Sequence, residues 1–250
     1  MNRTRRITLF LVGAAAVAAL LAWGVRGLPS FGHYQGPYGD EIVHRAIPQR
    51  HATNAVMTVV LDFRGVDTAG EELILLAAAV GVLMLLRKQQ EERVGPPRSH
   101  AEDRPAVEPS TPLRVVSAAL VAPVTVLGLY LVVHGALTPG GGFQGGVVLA
   151  VPSVLVLLAA RFRSFARLHP PWPWEAAQAL AVGGFLVAGF VTLMTGRAFL
   201  TNMMPLGSPG TVFSGGFFLV LNLCIGPAVA TAIVLITLEL VEQVTEIRGK

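Results

Sequence analysis

Long uncharged stretches of apolar residues constrain the fold of this chain more than any other feature. Five of them approach or exceed the roughly 17 to 25 residues that a helix needs to cross a bilayer: residues 7–25, 115–133, 143–160, 176–196 and 212–238. A sixth, residues 69–86, is apolar beyond Glu71 and Glu72 in its first turn. With 53% hydrophobic and 14% charged residues, the chain cannot cover itself with a water-exposed surface. We predict an all-α membrane protein with six transmembrane helices.

The basic residues predict how these helices are oriented. Of the 19 Lys and Arg residues, 14 fall at alternate ends of the predicted helices, and the 5 at the opposite ends are Arg26, Arg45, Arg50, Arg64 and Arg197. By the positive-inside rule, the N- and C-termini lie in the cytoplasm and the two Pro-Gly segments described below lie outside. The pI of about 9.8 reflects this topology, because the basic residues are dispersed and no aromatic-rich face accompanies them. No nucleic-acid partner is expected.

The chain lacks the residue patterns of several function classes. Its single cysteine, Cys224, cannot form an intrachain disulfide, and no Cys and His residues have metal-ligand spacing, so neither a metal nor a cofactor is predicted. No catalytic motif of an enzyme is recognisable. Residues 1–25 resemble a secretory signal, but their apolar run is longer than the roughly 7 to 15 residues of a signal core. We therefore favour a membrane helix at this position.

A proline-rich, charged stretch, residues 94–112, divides the chain into two parts. Such a composition does not form a packed core, so it is predicted to be a cytoplasmic linker between a two-helix unit, residues 1–93, and a four-helix unit, residues 113–250. The long outer segment of the first unit contains one short apolar stretch, residues 55–61, which cannot span a bilayer. We expect that stretch at the outer surface or against a neighbouring subunit.

A glycine-rich segment, residues 134–146, lies between the third and fourth predicted helices, and part of it recurs seventy residues later. Residues 208–216 align position for position with residues 138–146, so the last four helices are predicted to form two similar helical hairpins. The glycine spacing allows another helix backbone to approach closely, and the two Phe residues are expected to fill equivalent places. The residues shared by the two segments are Pro139, Gly140, Phe143, Gly145 and Gly146 in the first and Pro209, Gly210, Phe213, Gly215 and Gly216 in the second; the first segment also contains Gly141 and Gly142.

Charged residues concentrate at the outer end of the second predicted helix, where Arg64, Asp67 and Glu71 are close in sequence. A carboxylate at membrane depth is a candidate for ion or proton transfer. Thr68 and Glu71 also have the spacing of a capping box, in which each side chain satisfies a free backbone N–H at the helix start. A structural role for Glu71, with Arg64 as its ion-pair partner, is therefore the alternative. Glu72 falls on a different helical face and is the weaker candidate.

His134 ends the third predicted helix at the outer boundary. An imidazole titrates near neutral pH and can relay protons, whereas a hydrogen-bonding role at the membrane interface is the alternative. The candidates for an ion or proton pathway are therefore Arg64, Asp67, Glu71 and His134.

Two parts of the chain resemble one family of membrane complexes. Residues 134–146 resemble the signature of the B-type component of Mrp-type multisubunit sodium/proton antiporters, and the resemblance continues to about residue 247. Residues 54–87 resemble the end of the large A-type component of these antiporters, which is similar to the small E-type component of membrane-bound hydrogenases; the matching motifs are Asp-Phe-Arg-Gly at 62–65 and Asp-Thr-Ala-Gly-Glu at 67–71. The departure from the family is the fusion, because an A-type tail is joined here to a B-type component.

The resemblance implies an accessory and coupling subunit, and not an enzyme, in an assembly related to the membrane arm of respiratory complex I. Such an assembly exchanges Na⁺ for H⁺ across a bacterial inner membrane and contains A-, C-, D-, E-, F- and G-type partners. By the same resemblance, Arg64 and Glu71 match charged positions in the cation or proton route, and His134, Pro139 and Phe143 match important positions of the B-type component. Two alternatives stay open: a stand-alone small transporter, or a scaffold in a hydrogenase-like or other complex-I-like redox assembly.

Overall fold

The structure is a computed structural model that describes residues 3–28, 32, 36–86, 110–159 and 170–247. Within these residues the chain is all-helical, as predicted, with no strand. The α-helices are α1 (Arg3–Arg26), α2 (Pro37–Arg50), α3 (Ala55–Thr58), α4 (Gly65–Leu86), α5 (Thr111–Val133), α6 (Gly142–Ala159), α7 (Pro171–Met194) and α8 (Phe218–Ile247). A π-helical turn, Val59–Phe63, follows α3.

Six of these helices are long and apolar enough to cross a membrane, which confirms the predicted number of spans. They are α1, α4, α5, α6, α7 and α8. Helix α2 is shorter and carries several charged side chains, so it does not have the composition of a span. The orientation of the spans across the bilayer stays a prediction, because length and composition identify the spans but not their direction.

The predicted linker also lies almost entirely outside the described residues, but its last part is described. The hydroxyl of Ser110 accepts a hydrogen bond from the backbone N–H of Leu113 at 3.4 Å, and α5 begins at Thr111. The helix therefore starts two residues before the predicted boundary at 113. A serine cap followed by a proline in the first turn explains this early start, because both favour a helix beginning at this position.

The chain forms two compact units, Met1–Glu41 and Ile42–Lys250. The first contains α1, whose membrane-length part buries no residue within the structure. In the second, α5 packs against α6 and α7 packs against α8, so both predicted hairpins are present. Helix α8 is the central element, because it also contacts α4 and α6 and 61% of its span is buried, compared with 17–28% for the spans of α4 to α7.

The main core of the second unit forms along α8. Phe218, Leu221 and Ile225 recur on one side of this helix and pack with other apolar residues of α4 and α7. Met57 and Leu61 belong to the same core and are only 3% and 2% exposed. The apolar stretch 55–61 was expected as a helix or extended segment at the outer surface or against another subunit; Val56 is exposed, but part of the stretch packs within this chain instead, and its side of the membrane stays a prediction. The stretch forms α3 and most of the π-helical turn, and Met57 and Leu61 are buried within this chain.

Candidate functional site

Helix α4 begins at Gly65, four residues before residue 69, where the proposed capping box would start it. Thr68 is therefore inside the helix, and its hydroxyl donates a hydrogen bond to the carbonyl oxygen of Val60 at 2.5 Å. The predicted capping box of Thr68 and Glu71 is wrong, because the π-helical turn before α4 presents this carbonyl to the threonine. Glu71 lies on an exposed face of α4.

Two ion pairs lie near the start of α4. Arg64 pairs with Asp67, and not with Glu71, and both paired side chains are more than half exposed. Arg50, at the end of α2, pairs with Asp62 in the π-helical turn at 2.5 Å, a contact that the sequence did not reveal. The proposed ion pair between Arg64 and Glu71 is therefore wrong, since Asp67 lies one helical turn from Arg64 and is the nearer carboxylate.

A cavity of about 700 Å³ opens beside these ion pairs. All four paired side chains line it, together with residues of the segment between α7 and α8, among them Phe199, Leu200 and Asn202. The charges that line the cavity balance, because each arginine is paired with an aspartate. Such a lining can accommodate water and small ions, and it gives the cavity no strong net charge.

Glu72 is the carboxylate that helix packing encloses. Only 1% of the residue is exposed, and neither carboxylate oxygen has a hydrogen-bond partner among the described residues. The carboxylate lies within electrostatic reach of the Cys224 thiol on α8. It shares the buried face of α4 with Gly65, Thr68, Ala69 and Ala79. Burying an ionisable group without a partner costs roughly several kcal/mol, so a protein retains one chiefly where it has a function.

Glu71 was expected to be the stronger candidate of the two glutamates, but Glu72 is the buried one. The signal that could have identified the inner face was the helical spacing of small residues, because Gly65, Ala69 and Ala79 recur along the side of α4 that also carries Glu72. Small residues mark the faces on which membrane helices approach one another.

His134 ends α5 and remains close to its own helix. Its ring stacks on Tyr130 with 4.1 Å between centroids, and Nδ1 donates to the backbone oxygen of Tyr130 at 3.1 Å. These contacts supply the hydrogen-bonding role that was the alternative for this residue. A part for His134 in proton transfer stays a prediction.

A short strap, residues 51–54, ties α3 to the tip of the first hairpin. The side-chain amide of Asn54 donates to the carbonyl oxygens of Gly135 at 2.8 Å and Thr138 at 3.0 Å. Its oxygen accepts from the backbone N–H of Met57 at 3.3 Å and so caps α3. One asparagine therefore starts a helix and holds a loop from a distant part of the chain.

The same region contacts the second hairpin and the central helix. His51, which has a positive φ of 56°, donates from Nδ1 to the carbonyl oxygen of Gly207 at 2.5 Å. Asn222 of α8 accepts a hydrogen bond from the backbone N–H of Gly142 at 2.7 Å, and its amide contacts the Met57 sulfur at 3.5 Å. The strap and Asn222 together fix both tips to the central helix.

Two glycines of the first hairpin lie where helices meet. A Cβ added at Gly145 would lie 2.8 Å from the backbone nitrogen of Val132 in α5. A Cβ added at Gly146 would lie 2.6 Å from the carbonyl oxygen of Gly226 in α8. Backbone atoms cannot move aside as a side chain can, so only glycine fits at these positions.

The second tip does not repeat the conformation of the first. Helix α6 begins at Gly142, just before Phe143, whereas α8 begins only at Phe218, after Phe213 and Gly215. Gly215 adopts a φ of +80°, so it lies in a turn and is not the helical counterpart of Gly145. Phe213 is 73% exposed, whereas Phe143 packs against the main core. The two phenylalanines therefore do not fill equivalent places, which corrects that expectation.

The length of the second tip explains the difference. The first tip is the short segment 134–141, whereas the second extends over 195–217 and has room for turns of its own. Asn202 stabilises those turns, because its amide donates to the carbonyl oxygen of Gly215 at 2.8 Å and its oxygen accepts from the backbone N–H of Phe217 at 3.2 Å. Pro209 and Gly210 of the repeated motif lie within this longer segment, and Gly210 also has a positive φ.

Two protein families match the chain. Residues 112–235 match a domain related to the MnhB subunit of the Na⁺/H⁺ antiporter, and residues 1–100 match MbhE, the E-type component of MBH. The chain joins an MbhE domain to an MnhB-type domain. It is a multi-pass, Mrp/MnhB-like subunit of an antiporter-type membrane complex.

Proteins of a respiratory membrane complex and of antiporters are similar to most of the chain. In the structure of the membrane-bound sulfane sulfur reductase, an archaeal respiratory membrane complex, a chain with 29% identity superposes with a TM-score of 0.70 over 94% of this chain and 97% of its own length. A chain of the Mrp complex from Dietzia sp. has 25% identity and a TM-score of 0.69, covering 96% of this chain and 26% of that one. A probable K⁺/H⁺ antiporter protein of Rhizobium meliloti, of the combined A/B type, is 28% identical over 188 residues, which is 67% of this chain and 18% of that protein.

Asn54 belongs to the MbhE domain and bonds to the tip of the MnhB-type domain, so its removal is expected to destabilise the chain. Asn54→Ala loses the cap and both tip bonds, and at about 1 kcal/mol for each hydrogen bond the free energy of unfolding should fall by about 2 kcal/mol or more. Thermal unfolding of the purified protein in detergent measures this change. Gln144→Ala, on an exposed position of α6, is the control and should change stability little.

Asn54→Asp separates the two functions of this side chain. Aspartate still caps α3 but cannot donate to the two tip carbonyls, and its charge faces them. We expect this variant to be at least as unstable as Asn54→Ala. Wild-type stability of Asn54→Asp would mean that the tip bonds contribute little.

Proposed function

We propose that this chain is an accessory and coupling subunit of a multisubunit antiporter that exchanges Na⁺ for H⁺ across a bacterial inner membrane. In this proposal both termini are cytoplasmic and the partners are A-, C-, D-, E-, F- and G-type antiporter proteins. The MnhB-type domain supports it, since its family is related to a component of the Na⁺/H⁺ antiporter, as does the similarity to the Mrp chain along nearly the whole length. K⁺ is the alternative cation, because one relative is a probable K⁺/H⁺ antiporter protein.

The buried carboxylate of Glu72 is the observation that supports a direct role of this chain in proton and cation transfer. A carboxyl group enclosed among membrane helices is neutral while it holds a proton, and loss of that proton leaves a charge that needs water or a cation beside it. Alternating occupancy by a proton and a cation is the elementary step of exchange. We therefore assign to Glu72 the part in proton and cation transfer that was expected of Glu71. Glu71 is exposed on α4, so loss of its proton does not require a cation to bind beside it.

A scaffold role in a redox-linked complex is the second candidate, and one observation favours it. The chain of the sulfane sulfur reductase complex corresponds to this chain along 97% of its length, whereas only 26% of the Mrp chain does. In such an assembly the same buried carboxylate would take part in ion movement that is driven by electron transfer.

Purification of the complex in mild detergent tests the proposal against both alternatives. We expect the copurifying proteins to include the large antiporter subunits, and vesicles reconstituted with the complex to exchange Na⁺ for H⁺. The chain reconstituted alone should not exchange ions. Copurifying redox proteins with iron–sulfur absorption would favour the redox-linked assembly, and exchange by the chain alone would favour a stand-alone transporter.

A further inference from the structure

Leu200 lies between the cavity and the core of the second unit. Its side chain belongs to the lining of the cavity that the two ion pairs border. The residue is nevertheless only 3% exposed, because it also packs into the main core with Ala69 and Phe185. Leu200 thus separates a space lined by charged groups from the apolar interior.

The backbone at Leu200 adopts a conformation that leucine rarely takes. Its φ is +60°, in the left-handed region that favours glycine or asparagine, and a bulky side chain there is strained. Such strain persists only where the surroundings impose it, and it clusters at functional sites. Here the hydroxyls of Thr192 and Thr201 both donate to the carbonyl oxygen of Ala198, two residues before Leu200. The turn that presents Leu200 is therefore fixed.

The side chain of Leu200 covers Gly65, at the start of the face of α4 that carries Glu72. A Cβ added at Gly65 would lie 3.2 Å from Cδ1 of Leu200, so the leucine rests on that glycine. Gly65, Ala69 and Glu72 follow one another along the same buried face. With a rise of about 1.5 Å per residue, Glu72 lies about 10 Å further along the helix than Gly65, and Thr68 and Ala69 lie between them on this face.

We propose that the cavity is the aqueous access route to Glu72 and that Leu200 is the hydrophobic gate that closes it. The proposal rests on the function assigned to Glu72. Water and small cations enter the balanced, charged lining, and the apolar side chain of Leu200 stops them until it moves, as hydrophobic constrictions do in channels. Because the turn is fixed, the gate opens by movement of the Leu200 side chain and not of its backbone.

Cys224 is a natural reporter for this route. It is the single cysteine of the chain, it packs against the same core cluster as Leu200, and it lies within electrostatic reach of Glu72. A charged, membrane-impermeant thiosulfonate can reach it only through water. We would measure the rate of Cys224 modification in the assembled complex in sealed vesicles, adding the reagent to one side at a time.

Leu200→Gly removes the gate and relieves the backbone strain, and Leu200→Asn relieves the strain and adds a polar group. Both are expected to raise the rate of Cys224 modification at least about tenfold, from one side only. That side should be the one from which a cysteine introduced at the exposed Ser208 reacts. Leu200→Met, which keeps the apolar bulk, and Leu206→Ala, at another position of the cavity lining, should react at the wild-type rate.

An unchanged rate in either assembled variant, Leu200→Gly or Leu200→Asn, would overturn the gate, as would equal acceleration from both sides or in Leu206→Ala. The outcome is separable from the function assigned to Glu72. Glu72→Gln should remove most of the exchange, while the double variant with Leu200→Gly keeps the fast modification. Loss of exchange in Glu72→Gln together with unchanged modification in Leu200→Gly would retain the role of Glu72 and remove that of Leu200.

Discussion

Glu72→Gln is expected to remove most cation-dependent proton exchange from an assembled complex, whereas Glu71→Gln leaves most of it. Glutamine has nearly the shape of glutamate but cannot ionise, so the substitution preserves packing and removes the exchangeable proton. The two residues are adjacent in α4, and they differ in that Glu72 is enclosed by the bundle and Glu71 is exposed. We expect at least about a tenfold lower exchange rate for Glu72→Gln, a modest loss for removal of a proton-transferring group.

Exchange would be followed in everted vesicles by a fluorescent pH probe after addition of NaCl, with native gels to establish assembly. Glu72→Asp keeps a carboxyl group on a shorter side chain and should retain measurable exchange. The proposal fails if an assembled Glu72→Gln complex exchanges ions at the wild-type rate. A selective loss in Glu71→Gln would return the role to the residue that the sequence favoured.

Gly145→Leu is expected to prevent assembly of the first hairpin. Its Cβ would meet the backbone nitrogen of Val132 at 2.8 Å and the carbonyl oxygen of Gly128 at 3.1 Å, so α5 and α6 would have to separate. Overpacking of a core typically lowers the free energy of unfolding by about 1–3 kcal/mol. A clash with backbone atoms is expected to cost at least the upper end of that range. Native gels and the yield of the purified complex would record the loss.

Gly183→Leu in α7 is the matched control, because no atom lies within 4 Å of the added Cβ. It should assemble normally. Gly215→Leu is also expected to reduce assembly, but for a different reason, since Gly215 has a φ of +80° and its added Cβ would meet the Phe218 ring. Wild-type yield of Gly145→Leu would show that the close approach of α5 and α6 is not needed.

The number and positions of the membrane helices could be predicted because hydrocarbon imposes a length and excludes charge. Which face of each helix points inward could not be predicted in the same way. In α4 the exposed residues, such as Leu73 and Ile74, are as apolar as the buried ones, since lipid and protein core select the same side chains. Glu71 and Glu72 therefore looked alike, and only the packing of α4 against α7 and α8 separates them.

The repeated motif predicted the hairpins but not the conformation of their tips. Similar residues at 138–146 and 208–216 did indicate two hairpins, but backbone conformation depends on what surrounds a motif. The long second tip supplies Asn202 as a partner for the Gly215 carbonyl, and the first tip is instead held by Asn54 and Asn222 from outside the motif. Contacts between residues so distant in sequence leave no periodic signal.

The strap at residues 51–54 has a consequence for how the complex is put together. It lies in the MbhE domain but forms hydrogen bonds with both tips of the MnhB-type domain. If the two domains were separate polypeptides, these hydrogen bonds would form only after the polypeptides had associated. Association of free chains loses translational and rotational entropy, whereas a peptide connection holds the partners at an effective concentration of about millimolar. Synthesis as one chain also fixes their ratio at one to one, so neither domain is made without the surface that completes it.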